Sequence, residues 1–239
     1  MSSIGFSTGS LYRSGIPFDE RVKLYHRLGA NAIELSFATP DWLLKYELTE
    51  DKIDSIKKFD FVSIHAPWKN GRDDYSITDK VIEKLRFLCD NLHVSGIVVH
   101  SHKEGDFARL EGTGLPFLLE NMNGTKKDGV YPSQFNEFKR RYSFGFVLDV
   151  QHAYEHDPSM QLAMDLIDVM GDRLMHMHVS GCSNSEIHFP VFSAVNQAAI
   201  NKILGLKMDV PKILEGILTG NVDETIRHEL DYVGAYEKN

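Results

Sequence analysis

The chain predicts an α/β fold, a single (β/α)8 TIM barrel with a shortened fourth helical unit. Three observations carry this reading. Short apolar runs rich in Val, Ile, Leu and Phe alternate with amphipathic helical stretches along the whole chain. That is the pattern of a parallel sheet buried on both faces. The length of 239 residues is close to the roughly 250 of one such barrel, and eight units would average about 30 residues each. Finally, His65, His100, Glu120, Asp149, His178 and Glu215 each sit at or just past the C-terminal end of an apolar run. A barrel of this class builds its active site at that end of its strands. One compact domain over 1–239 is expected.

The elements follow in order. Ile4–Ser7 is the first strand. Phe18–Leu28 keeps Val22, Leu24, Tyr25 and Leu28 toward one side, as a core-facing helix does. Ala32–Ser36 and Phe61–His65 are the next strands. Ile77–Leu92 aligns Val81, Ile82, Leu85, Leu88 and Leu92 on one helical face. Ile97–His100 is the fourth strand and Phe117–Glu120 the fifth. The sixteen residues between them, 101–116, are too few for a full helix and two loops, so the fourth helix should be short or distorted. Phe146–Asp149 is the sixth strand. Asp157-Pro158 reads as an N-cap and first position of a helix Pro158–Met170. Leu174–His178 and Ile213–Glu215 complete the eight strands, and a helix Val222–Tyr236 closes the chain. Right-handed crossovers join such units. No repeat, low-complexity segment or linker stands out.

Composition narrows the class. A formal net charge of -8 does not advertise a polyanion partner, and a domain that lives on nucleic acid is more often basic. Cys89 and Cys182 are the only cysteines. They fall in a helical pattern and in a loop, so a disulfide is not expected and a reducing compartment is. The start, MSSIGFSTGS, lacks the charged and apolar regions of a signal peptide. No apolar run approaches the roughly 20 residues of a membrane span. A soluble, cytoplasmic protein with no membrane partner is expected.

The strand-end residues carry the chemistry. Glu120, Asp149, Glu186 and Glu215 at one mouth would repel one another and raise their own pKa values. Divalent cations remove that conflict, and imidazole mixed with carboxylate suits Zn2+, Mn2+ or Fe2+. His152 follows Asp149 at i+3, and Glu186 and His188 follow His178 after a short loop. Singly, a strand-end histidine is more often satisfied by a backbone partner. As a set they read as metal ligands. Glu34 reads equally as a helix cap or a brace of the barrel. His102 and His176 are weaker candidates, each two residues from a stronger one. His26, His93 and His228 fall in helical patterns, and His156 reads as a solvated loop residue.

Several motifs resemble a known group of barrels. LGANAIEL (Leu28–Leu35) looks like the second-strand signature of the xylose isomerase-like TIM barrels. VSIHAPW (Val62–Trp68), VVHSH (Val98–His102), LLENMNG (Leu118–Gly124), LDVQHAY (Leu148–Tyr154), MHVSG (Met177–Gly181), EIH (Glu186–His188) and ILEG (Ile213–Gly216) are similar to motifs of its endonuclease IV branch, AP endonuclease family 2. The resemblance covers essentially the whole chain. It implies up to three Zn2+. His65, His100 and Glu120 would hold the first, and Glu120, Asp149, His178 and Glu215 the second. His152, Glu186 and His188 would hold the third. Trp68 stands where that branch has an aromatic that packs against DNA; it reads equally as packing at the barrel lip. Glu186 replaces an Asp, and its spacing from His178 is a few residues short.

Two reactions fit such a scaffold. The sugar isomerases and epimerases of the same superfamily need only Glu120, Asp149, His178 and Glu215 around one Mn2+, Co2+ or Mg2+. Glu120 and Glu215 would there be the catalytic pair that moves a proton beside a polarised carbonyl. One divalent ion with three carboxylates leaves about -1, which suits a neutral sugar. Three zincs with four carboxylates leave about +2, the field a phosphodiester needs. His65, His100, His152 and His188 therefore favour phosphoester hydrolysis, with abasic-site DNA as the family's substrate. Against DNA, the expected top-face loops mix Lys69, Arg72, Lys103, Arg109, Lys126 and Lys127 with Asp73, Asp74, Glu104, Asp106 and Asp128. No basic stripe with interleaved aromatics emerges. Lys139-Arg140-Arg141 precedes a strand and belongs on the bottom face. A barrel that binds metal or ligand without catalysis is the third reading.

Overall fold

A computed structural model of the protein describes residues 2–68, 77–101 and 107–238. His102 and the charged residues Lys69, Arg72, Asp73, Asp74, Lys103, Glu104 and Asp106 lie outside the described residues. Eight parallel strands close a barrel. They are β1 (Ile4–Ser7), β2 (Ala32–Ser36), β3 (Phe61–His65), β4 (Gly96–His100), β5 (Phe117–Glu120), β6 (Gly145–Asp149), β7 (Leu174–Val179) and β10 (Lys212–Leu214). Between β7 and β10 a small antiparallel pair, β8 (Gly181–Cys182) and β9 (Ile187–Phe189), rises from the chain. The sequence had read that stretch as a short loop.

Around the barrel lie α1 (Phe18–Arg27), α2 (Pro40–Lys45), α3 (Glu50–Ile56), α4 (Asp79–Leu92) and α5 (Phe107–Glu111). Then come α6 (Pro132–Arg141), α7 (Val150–His156), α8 (Gln161–Met170), α9 (Gln197–Leu204) and α10 (Val222–Lys238). The five-residue α5 is the shortened fourth unit that the spacing predicts. The helix expected from Pro158 starts later, at Gln161. The physical reason is an extra helix, α7, which Asp149 caps by accepting from the His152 amide at 2.8 Å. The chain then needs a turn, and Met160 takes a left-handed φ of 69° to make it. Asp157 keeps its capping role, with its two oxygens accepting from the amides of Ser159 and Leu162.

Strand residues alternate between the outer, helix-facing layer and the barrel interior. Ile33, Leu35, Ile64, Leu119, Leu148 and Met177 face outward into the main core beneath the helices. Inside, Ala32, Phe61 and Ile213 form one apolar floor cluster, and Val98, Leu118 and Val147 another. Gly5 faces this crowded interior. A Cβ there would stand 1.6 Å from the Ala32 carbonyl oxygen, so only glycine lets β1 and β2 close. At the base, fully buried Lys212 donates to Ser2 Oγ and to the Met208 and Val210 carbonyls, and pairs with Glu237 at 2.6 Å. That knot ties α10 across the bottom. The register sets Ser36 beside His65, His100 beside Glu120 and Asp149 beside His178. The strand-end residues therefore share one level at the mouth. Lys139, Arg140 and Arg141 end α6 and lead into β6, at the opposite end. Among the described residues no helix is long and apolar enough to cross a membrane.

Candidate metal centre

The interior alternation brings the strand-end side chains together. Glu120 is the hub. Its carboxylate meets His178 Nδ1 at 2.8 Å, His65 Nε2 at 3.3 Å, His100 Nε2 at 3.5 Å and His152 Nδ1 at 3.9 Å. His178 Nδ1 also lies 3.5 Å from Glu215. Three overlapping sets at the mouth offer ligand atoms all within 4.8 Å of one another: His65–His100–Glu120, Glu120–Asp149–His178–Glu215, and Asp149–His152–His188. Eight of the nine residues read as ligands thus fall into three sets that share Glu120 and Asp149. Glu186 is placed elsewhere. Its carboxylate, about a third exposed, is ion-paired with Arg13 and belongs to none of the sets.

These donors fit divalent ions. Asp149 Oδ2 is buried with no hydrogen-bond partner, and the closest imidazole nitrogen, His152 Nδ1, stands 3.4 Å away. In two histidines one ring nitrogen is already engaged by a backbone carbonyl. His65 Nδ1 lies 2.9 Å from the Ala66 carbonyl, and His152 Nδ1 lies 2.9 Å from the Asn121 carbonyl. A carbonyl oxygen can only accept, so each Nδ1 carries the hydrogen and each Nε2 keeps its lone pair, which for His65 faces Glu120. Asn121 also clasps β5 to β6, donating to the Asp149 carbonyl at 2.9 Å and accepting from its amide at 2.6 Å.

Without metal, protons stand in for it. Burial works against the His65 cation, but the hydrogen bond and charge of Glu120, with Glu34 behind, raise its pKa to about 9. His178 is held well above its usual value, burial again being overcome by Glu215, Glu34 and Glu120. Glu120 is held well below the carboxylate range, since His178 and His65 outweigh its burial. Glu215 is pushed up to about 7 by burial, with His178 opposing and Asp149 and Glu120 reinforcing. His188 goes the other way. Burial lowers it to about 4, which leaves it neutral and ready as a ligand.

The β8–β9 pair presents His188, whose φ of 58° is left-handed. A non-glycine residue there costs of order 1 kcal/mol or more and persists only where its surroundings impose it. The imposing contacts are visible. Ser180 Oγ lies 3.0 Å from His188 Nδ1. The Cys182 amide donates to Asn196, which donates in turn to Gln151 of α7. Glu229 of α10 accepts from the Val191 and Phe192 amides just beyond β9. Gly216 lets the strand end pass Pro190, where a Cβ would meet the backbone at 2.7 Å.

A cavity of about 430 Å³ opens above the ligands. Trp68, edge-on to His65 at 4.7 Å, forms part of its wall. Trp42, Tyr12, Ser7, Ser10 and Ser36 also line it, none of which the sequence marked. Their signal was position alone, at or soon after the C-terminal ends of β1 and β2. No lysine or arginine is among the described residues lining it. His156, expected in solvent, is half-buried and donates to the Asn123 carbonyl at 2.9 Å. His26, His93 and His228 are exposed, away from the mouth. Glu34 braces the barrel interior and caps no helix. With His176 it contacts His178 from below, at 3.1 Å from Glu34 Oε2 and 3.3 Å from His176 Nε2.

No family model and no curated protein matches the chain. Solved structures do. A D-tagatose 3-epimerase-like protein is 14% identical, with a TM-score of 0.70 over 99% of this chain and 97% of that one. Endonuclease IV from Thermus thermophilus is 18% identical, with a TM-score of 0.70 over 99% of both chains. A xylose isomerase domain containing protein from Salmonella typhimurium is 12% identical, with a TM-score of 0.64 over 100% of this chain and 98% of that one. At such identities the likeness is one of fold. The chain has the fold of the xylose isomerase-like TIM barrels, shared by an endonuclease IV and an epimerase-like protein alike.

Proposed function

We propose that the chain is a metal-dependent enzyme that hydrolyses a phosphoester at a multinuclear site of the zinc type. The observation that carries this reading is the pair of flanking sets. His65–His100–Glu120 and Asp149–His152–His188 stand on either side of Glu120–Asp149–His178–Glu215. A one-ion isomerase uses the central four residues and has no need of four further histidines. With Glu186 held by Arg13, three divalent ions against Glu120, Asp149 and Glu215 leave the mouth positive by about three charges, suited to an anionic substrate. Bound ions would supply Lewis acidity and an activated water. The chain's own part is orientation: Ala66 and Asn121 fix His65 and His152, and the floor beneath keeps water to one side. The cavity, about 430 Å³, admits one sugar-phosphate unit. A strand of abasic-site DNA would have to present that unit extruded from its stack.

A second reading is a sugar or sugar-phosphate epimerase working with a single Mn2+, Co2+ or Mg2+. It is favoured by the serine hydroxyls and the two tryptophans of the wall, and by the lack of a described lysine or arginine there. Glu120 and Glu215 would then exchange the proton. Metal content per chain, measured on protein purified without chelator or histidine tag, separates the two. Two to three zinc ions with cleavage of an abasic-site oligonucleotide or a simple phosphodiester supports hydrolysis. One manganese, cobalt or magnesium with turnover on a ketose panel refutes it. No metal after reconstitution refutes both and leaves a non-catalytic barrel.

A further inference from the structure

Beneath the mouth lies a polar layer that the proposed chemistry does not use. Glu34 on β2, Ser63 on β3 and His176 on β7 are fully buried inside the barrel. That level of a closed barrel is ordinarily packed with branched apolar side chains. An ionised carboxylate there carries a desolvation penalty of several kcal/mol unless partners offset it. One oxygen gathers those partners. Glu34 Oε2 accepts from Ser63 Oγ at 2.9 Å and stands 3.1 Å from His178 Nε2 and 3.5 Å from His176 Nε2. Glu34 Oε1 and His176 Nδ1 have no hydrogen-bond partner.

Three mouth histidines can be compared by the hydrogen bond that fixes one ring nitrogen. For His65 and His152 the partner is a backbone carbonyl, and the held nitrogen is Nδ1. For His178 the ring is reversed. Nε2 points down to Glu34, and Nδ1 points up to Glu120 and Glu215. Of these three, His178 is the one backed by a charge. A carboxylate behind a ligating imidazole fixes its tautomer and makes it a stronger donor.

We propose that Glu34 is a positioning residue for metal binding: its buried carboxylate holds the Nε2 hydrogen of His178, so that the Nδ1 lone pair faces the mouth between Glu120 and Glu215. His176 packs over the same oxygen, and Phe61 lies against His176 with ring centroids 5.3 Å apart. Glu34 touches neither substrate nor the ions of the mouth. The inference rests on the metal-site reading above.

The test is Co2+ titration of metal-free wild type and Glu34→Gln against a competing chelator, read by the visible d–d bands and by ions bound per chain. Glu34→Gln should bind the same number of ions. The ion seated by His178 should bind roughly 10–100-fold more weakly, with a shifted band. Unchanged affinity and spectrum would overturn the proposal. So would the loss of one whole ion with the others unaffected. Glu34 Oε2, His176 Nε2 and His178 Nε2 lie 3.1 to 3.5 Å apart, so that result would mean the layer itself holds an ion. If Glu34→Gln does not fold, nitrogen-15 spectra of the zinc-loaded wild type decide. Hydrogen on Nε2 of His178 and none on Nδ1 is expected, and the reverse overturns the proposal. A wild type that binds no Co2+ would refute the metal-site reading instead. The same spectra on metal-free protein, with Nε2 of His178 bearing no hydrogen, would then sink the Glu34 contact as well.

Discussion

Glu120→Gln tests the centre most directly, because Glu120 belongs to two ligand sets and compensates several buried histidines. The magnitude follows from His65. In the metal-free protein its pKa stands at about 9, against an ordinary value of 6.5, because Glu120 and Glu34 together overcome its burial. A shift of that size corresponds to about 3 kcal/mol of folding stability. The folded pKa is raised, so this contribution is fully present below about pH 6.5 and is lost as pH rises through 9. Glutamine removes the charge, burial then dominates, and the His65 share of the slope disappears. His178 keeps Glu34 and Glu215, so some pH dependence remains. Chemical unfolding in excess chelator at pH 6 and pH 9.5, on wild type and variant, gives both numbers. The variant should be less stable by about 3 kcal/mol at pH 6, with most of the gap closed at pH 9.5. A wild type of flat stability across that range, or a variant with the full slope, would refute the pairing. Metal content supplies an independent check, since losing Glu120 breaks two sets and should leave at most the ion of Asp149–His152–His188.

Three further outcomes are expected. His188→Ala should remove about one ion per chain and lower phosphodiester turnover at least tenfold, a general acid–base or ligand loss being of that order or more; an unaltered metal content by elemental analysis would contradict its place in the third set. Glu229, pushed up to about 7 by burial, with the Val191 and Phe192 amides opposing, binds a proton more readily folded than unfolded. Its contribution is therefore lost as pH rises from about 4.5 through 7, by about 3 kcal/mol at most, and Glu229→Gln should flatten that part of the stability profile. Trp68→Ala should raise KM several-fold with little change in kcat, since an aromatic wall contact is worth about 1 kcal/mol; an equal fall in kcat would instead implicate its contact with His65.

The mouth was legible because two regularities coincide in the sequence. Period-2 alternation sends alternate residues of each strand inward, and strand ends are marked by the stop of an apolar run. His65, His100, Glu120, Asp149, His178 and Glu215 satisfy both. Glu34 and His176 satisfy the first and fail the second, and that is why they stayed ambiguous. They sit one inward position below the mouth, and only the pairing of Glu34 with Ser63 across β2 and β3 shows it. Glu186 failed for a different reason. Its direction depends on the turn of the β8–β9 pair and on Arg13, 173 residues away, and no local pattern encodes such a contact. Asp149 hid a second role. Read as a ligand, it also caps α7, because Oδ1 takes the His152 amide while Oδ2 is left for the mouth.

The polar layer beneath the mouth bears on why the ligand set takes the form it does. Six strands deliver imidazoles and carboxylates to one level, but delivery does not decide which nitrogen faces inward. For His65 and His152 nearby carbonyls decide it at little cost, because those groups need donors in any case. His178 stands on β7 with His176 below it, inside the barrel, and its lower nitrogen is met by a side chain from another strand. Ser63 and Glu34 supply that contact from β3 and β2. An apolar trio at those positions would pack as barrel interiors usually do and would avoid a buried charge. It would also leave the His178 ring free to flip and present the wrong nitrogen. The layer is therefore understood as stability given up for a ligand set in the required orientation before any ion arrives.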